Sequence, residues 1–123
     1  GAGVYDYSGE TAVPLLRRWQ DASVATGDDE SIRAFAEAAG VTQLDGPVPL
    51  IVTRILAALI NEAMWAHHDG VASEADIDTA MRYGVNYPQG PFAWREQIGP
   101  DRVTRALETL EQMTGTGRFL SPP

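Results

Sequence analysis

The stretch from Leu50 to Asp69 runs for twenty residues without a glycine or a proline. Its apolar residues recur at helical spacing. Ile51, Ile55, Leu59 and Ala63 form one stripe, and Val52, Leu56, Ile60 and Met64 form its neighbour. A long helix with such a double stripe must be covered, so the rest of the chain is read as its cover. The opposite strip carries Thr53, Ala57, Ala58, Asn61 and Trp65. Small residues there let another helix approach closely, either within the domain or from another domain. Gly70 is placed to cap the end.

Other helices follow from local signals. Pro14 suits the first position of a helix running to about Thr26. Asp28 or Asp29 is a good N-cap for a helix from Glu30 to Ala39, closed by Gly40. Val41 to Pro49 contains Gly46, Pro47 and Pro49 and reads as a linker. Ser73 starts a further helix, its hydroxyl capping the amide of Asp76 and the Asp76 carboxylate reaching back. In that helix Ile77, Ala80 and Met81 are expected to face inward, and Gly84 to terminate it. VNYPQGP is then a turn built on Asn86, Pro88 and Gly90, with Pro91 opening a short helix. Gly99 and Pro100 open the last helix, with Ile98 and Val103 placed as a hydrophobic staple. Val103, Leu107, Leu110 and Met113 or Thr114 continue its apolar stripe, and Gly115 ends it. The chain is therefore expected to be all-α, with five or six helices and an irregular N-terminal segment.

Composition narrows the function. The 123 residues carry a net charge of −8, and all nine basic residues are Arg. Those arginines are scattered, without the basic stripe that phosphate backbones require, so no nucleic-acid partner is expected. With no cysteine there is no thiol nucleophile, disulfide or Cys–zinc site. No apolar run was read as long enough to span a membrane and no leader precedes the first helix, so no membrane partner and a cytoplasmic location are expected. The first residue is Gly rather than Met, and the chain is expected to come from something longer.

Chemistry-bearing residues are few. Gly1-Ala2-Gly3 imitates the start of a dinucleotide-binding loop, but Asp6 stands where the third Gly belongs and no strand precedes it. His67 and His68 are adjacent on a helix, about 100° apart, so they do not readily share a metal. They suit the last turn of the long helix, where positive charge is favoured. Glu62, in an apolar neighbourhood, is either a buried acid or a solvated one. Asp76 and Asp78 read as one cap and one surface charge. No catalytic residue, metal ligand or cofactor-binding residue is assigned.

The order of short blocks is more telling. Arg54 follows the start of the long helix; then come Asn61-Glu62-Ala63, Gly70-Val71-Ala72-Ser73, Asp76-Ile77-Asp78 and Tyr87-Pro88-Gln89-Gly90-Pro91. In this order and spacing they resemble the C-terminal domain of the 3-hydroxyacyl-CoA dehydrogenase family. Gly1-Ala2-Gly3-Val4-Tyr5-Asp6-Tyr7 looks like the Gly-x-Gly-Phe-Tyr-x-Tyr tail of such a domain, standing at the wrong end. The closing RFLSPP is similar to the end of the long, two-copy members of the 3-hydroxybutyryl-CoA and phenylacetate-pathway 3-hydroxyadipyl-CoA types. On that resemblance residues 1–46 are the tail of an upstream copy plus a degenerate spacer, and residues 47–123 are the helical domain.

The resemblance implies a helical bundle like the 6-phosphogluconate dehydrogenase C-terminal domain. It also implies a division of labour. A missing N-terminal domain binds NAD and supplies the catalytic His–Glu pair, while the helical domain adds an Asn, helps build the acyl-CoA cleft and forms a homodimer. Thr53 stands at the position of that Asn, and threonine has no amide. The expected function is therefore dimerisation and interdomain packing within an NAD-dependent 3-hydroxyacyl-CoA dehydrogenase, with the fragment alone inactive and holding no cofactor. A second reading keeps Thr53, Asn86, Pro88 and Pro91 as residues lining the acyl-CoA cleft. A third is a stand-alone helical interaction domain.

Overall fold

The computed structural model describes residues 29–123, together with a two-residue strand pair near the N-terminus. In that pair β1 (Tyr5–Asp6) runs antiparallel to β2 (Val13–Pro14), with Tyr5 opposite Pro14 and Asp6 opposite Val13. The expected all-α architecture holds over residues 29–123, which form five helices. The helix expected from Pro14 to Thr26 lies outside the described residues, apart from Pro14 itself, which is in β2.

Helix α1 spans Glu30–Ala38. Asp29 is its cap: one carboxylate oxygen accepts from the Ser31 amide at 2.8 Å and from the Ser31 hydroxyl at 2.6 Å. At the other end the Val41 amide donates to Ala36 and the Gly40 amide to Glu37, both at 2.9 Å. Gly40 makes this closure possible because its φ is +93°. Helix α2 spans Val48–His68, two residues earlier than the apolar run suggests, because Pro47 and Pro49 fit the first turn. It closes in the same way through Gly70. Helix α3 covers Glu74–Gly84, α4 Pro91–Ile98 and α5 Pro100–Thr114.

One core joins these helices. Ile32 and Phe35 of α1, Ala57 and Ile60 of α2, Ile98 of α4 and Val103, Ala106, Leu107 and Leu110 of α5 are buried together, and Phe119 from the tail completes them. The staple pair Ile98 and Val103 is inside this cluster, and the apolar stripe of α5 faces it as its spacing requires. Helix α1, from the stretch read as spacer, is thus part of the same core.

The small-residue strip of α2 packs inside the domain, one of the two alternatives its spacing leaves open. Thr53, Ala57, Ile60, Asn61 and Ala63 are buried, whereas Ile55 is 61% exposed. The small-residue strip is taken into the fold together with Ile60 and Ala63 of the neighbouring stripes, Leu56 and Met64 pack at the edge of the core, and Ile55 is left outside. The expectation for α3 needs correction. Ile77 and Met81 are only half-buried, Ala80 is exposed, and the helix buries no residue. It ends at Gly84 as expected, and Asn86, at φ +58°, turns the chain just beyond. By length and composition α2 is also long and apolar enough to cross a membrane, with a mean hydropathy of 1.4 over its most apolar window. This corrects the expectation that no apolar run is long enough, since Arg54, Asn61 and Glu62 interrupt the run without lowering its mean enough.

Candidate functional site

The α3–α4 corner holds most of the motif residues. Ser73 caps α3 by accepting from the Asp76 amide at 3.2 Å, while its hydroxyl donates to the Asp76 carboxylate at 2.7 Å. The carboxylate thus takes the cap's hydroxyl rather than its amide. Asp78 is not a surface charge. Its two oxygens accept from the Phe92 amide at 2.8 Å and the Ala93 amide at 2.9 Å. These are free N–H groups of α4, whose own N-cap, Gly90, offers no side chain. A carboxylate there also meets the positive end of the helix dipole. Gly90 is required for clearance, since a Cβ at that position would collide with the Asp78 carboxylate. Pro91 is buried as the first residue of α4, and the Tyr87 ring lies against Trp94 with centroids 5.8 Å apart.

The four candidate cleft residues do not converge. Asn86 and Pro88 are exposed at the turn, and Pro91 is buried behind it. Thr53 has no exposed surface, and its hydroxyl donates to the Ile32 carbonyl of α1 at 3.3 Å. Phe92, next to Pro91, packs on His67 with centroids 6.0 Å apart. Fourteen residues separate His67 from Thr53, a rise of about 21 Å along the helix. Thr53 and the turn therefore occupy opposite ends of α2.

A cleft of about 350 Å³ opens at the His67 end, walled by Met64, Phe92, Arg95 and Pro122 with His67 and His68 at its rim. The Nδ1 of His67 is 3.1 Å from the Ala72 carbonyl, and the His68 ring meets Trp65 edge-on. Glu62 is exposed, so it is a solvated acid rather than a buried one. Among the described residues, no group of three His, Asp or Glu side chains is arranged to hold a metal.

The third polar constellation was missed in the sequence. Asn61 Nδ2 donates to the carbonyls of Arg118 and Leu120, at 3.2 and 3.1 Å, and Trp65 Nε1 donates to Leu120 at 2.8 Å. From the other side the Glu111 carboxylate accepts from the Gly117 amide at 2.7 Å and the Phe119 amide at 3.1 Å. The tail is thus held as a strap, with Phe119 driven into the core. The available signal was an amide side chain one helical turn before a Trp, together with a Glu four residues ahead of Gly115.

Comparison with known proteins places this architecture. A family model described as 3-hydroxyacyl-CoA dehydrogenase, C-terminal domain, matches residues 50–123. The chain belongs to that family. It is 53% identical over 70 residues to the 3-hydroxyadipyl-CoA dehydrogenase of Escherichia coli (strain K12), covering 57% of this chain and 15% of that protein. It is 41% identical over 73 residues to the 3-hydroxybutyryl-CoA dehydrogenase of Clostridioides difficile, covering 59% of this chain and 26% of the relative. A crystal structure of 3-hydroxybutyryl-CoA dehydrogenase from Escherichia coli K12 superposes with a TM-score of 0.54 at 54% identity, over 56% of this chain and 15% of that one. The chain therefore spans about a quarter or less of these relatives' length. Against this family background the described roles of Asn61, Asp78 and Gly90 are structural ones, in the strap, the α4 cap and the clearance beside it.

Proposed function

We propose that this domain serves dimerisation and interdomain packing in an NAD-dependent 3-hydroxyacyl-CoA dehydrogenase and does not catalyse the reaction by itself. One contrast carries the reading: Thr53 is sealed under α1 while Ile55, on the outer face of the same helix, stays 61% exposed. The side chain at the catalytic-Asn position is spent on internal packing, and apolar surface is left over for a partner. Val71, Tyr83 and Val85 around α3 are exposed as well. Residues 1–46 are read as the tail of an upstream copy plus a spacer. NAD and the proton acceptor belong to the missing N-terminal domain, the acyl-CoA to the cleft of the parent, and the parent to the cytoplasm, with neither nucleic acid nor membrane as a partner.

A second reading, a domain that still lines the acyl-CoA cleft, draws on the exposure of Asn86 and Pro88 at the turn. Thr53 and Pro91 would join such a cleft only if α1 and the start of α4 moved away. Measuring the mass of the 123-residue chain in solution while titrating it with acetoacetyl-CoA by calorimetry separates the two. A dimer without binding heat is the expected result. A monomer with saturable binding would replace the first reading by the second.

A further inference from the structure

Helix α3 is held to the domain differently from its neighbours. Each of the other described helices places at least one side chain in the common core, whereas α3 places none. Ile77, Asp78 and Met81 are half-buried, and every other residue of α3 is exposed. Little apolar contact is therefore lost when this helix leaves, and the free energy of local opening follows that contact. What fixes α3 is largely polar. The Asp78 carboxylate accepts from the Phe92 and Ala93 amides at 2.8 and 2.9 Å, and the Ala72 carbonyl, just ahead of the helix, lies 3.1 Å from His67 Nδ1. Both flanks turn through left-handed residues, Gly70 at φ +73° before the helix and Asn86 at φ +58° after it. Loop residues in such positions can absorb a change of direction without deforming α2 or α4.

We propose that residues 71–85 form a flap, hinged at Gly70 and Asn86 and latched by Asp78, that opens as one unit while α1, α2, α4 and α5 keep their core. Glu74, in the first turn of α3, lines the cleft beside His67 and Phe92. Opening the flap removes that side of the cleft and releases the two α4 amides that Asp78 holds. A helix of 11 residues is marginal in water by itself, so the α3 amides exchange with solvent once it leaves. The flap depends on neither dimerisation nor acyl-CoA binding.

Native-state hydrogen exchange of the 123-residue chain in low urea tests it, with amides 78–84 of α3 compared with amides 106–110 of α5. The α3 amides are expected to share one protection factor, about a hundredfold or more below that of the α5 amides, and one shallower urea slope. Two substitutions separate the flap from global unfolding. Ile32→Val removes a methyl group from the core, which the open flap leaves intact. It is expected to lower α5 protection about two- to tenfold and to leave α3 protection unchanged. Asp78→Ala removes hydrogen bonds that the open flap and the unfolded chain both lack. It is expected to lower both sets by the same factor, about two- to thirtyfold. An Ile32→Val chain that loses as much protection in α3 as in α5 would show α3 opening only with the whole domain, and would overturn the proposal. So would protection graded toward one end of α3, the mark of fraying, or an Asp78→Ala chain whose α3 amides exchange like the parent's.

Discussion

Single side chains carry the geometry of the α3–α4 corner. Asp78 reaches fourteen and fifteen residues ahead to the amides of Phe92 and Ala93, and Gly90 leaves room for it. Gly90→Ala is expected to destabilise the domain by about 1–3 kcal/mol through overpacking. In an Asp78→Ala background, where the obstructing carboxylate is gone, the same change should cost about half as much or less. Chemical denaturation of the four proteins of this cycle measures the coupling, and purely additive losses would refute the clasp. Thr53 gives a second residue-scale prediction. It is fully buried against Ile32, so Thr53→Asn adds volume and an amide that lacks a partner. The variant is expected to lose about 1–3 kcal/mol and to gain no acyl-CoA affinity, as read by thermal denaturation and calorimetry.

Helices show where local rules suffice and where they do not. Caps act over two to five residues, and Asp29, Ser73, Gly40 and Gly70 close their helices as their residue types predict. Which face of α2 turns inward depends instead on α1 and α5, which meet it from distant parts of the chain. A helix that is apolar around much of its circumference offers two candidate faces, and periodicity alone cannot rank them. Packing does, in favour of the face that holds Thr53, Ala57, Ile60 and Asn61. Helix α1 forms where its caps predict, and although it lies in the stretch that the resemblance marks as a spacer, it packs into the core. Phe35 in it has no exposed surface, so Phe35→Ala should cost about 3–5 kcal/mol by chemical denaturation. A loss below about 0.5 kcal/mol would mean that α1 is a dispensable appendage.

At the scale of the molecule, surplus apolar surface and charge act against each other. Ile55 and Tyr83 are exposed on the bundle, while the chain carries a net charge of −8. Two such bodies repel at low ionic strength and are screened from each other over about 10 Å at 0.1 M salt. Self-association through the apolar faces is therefore expected to tighten as salt is raised, as sedimentation would show. Ile55→Glu should leave the unfolding midpoint nearly unchanged, because Ile55 adds little to the core, and shift the population to monomer. An Ile55→Glu chain that still sediments as a dimer would move the interface elsewhere.

The five described helices, most of their boundaries and the family were legible in the sequence, because capping and apolar spacing act within a few residues and the motif blocks stand in a recognisable order. The partners of Asn61, Thr53, Asp78 and Glu111 were not. Asn61 holds carbonyls 57 and 59 residues away, and Thr53 answers a carbonyl 21 residues behind it. Glu111 is only 6 and 8 residues from its amides, yet it reaches them because the chain reverses at Gly115. Each of these contacts depends on how separate segments lie in space. The same polar residue is a surface group or a clasp according to what folds back against it, and that is decided by the packing of the whole bundle.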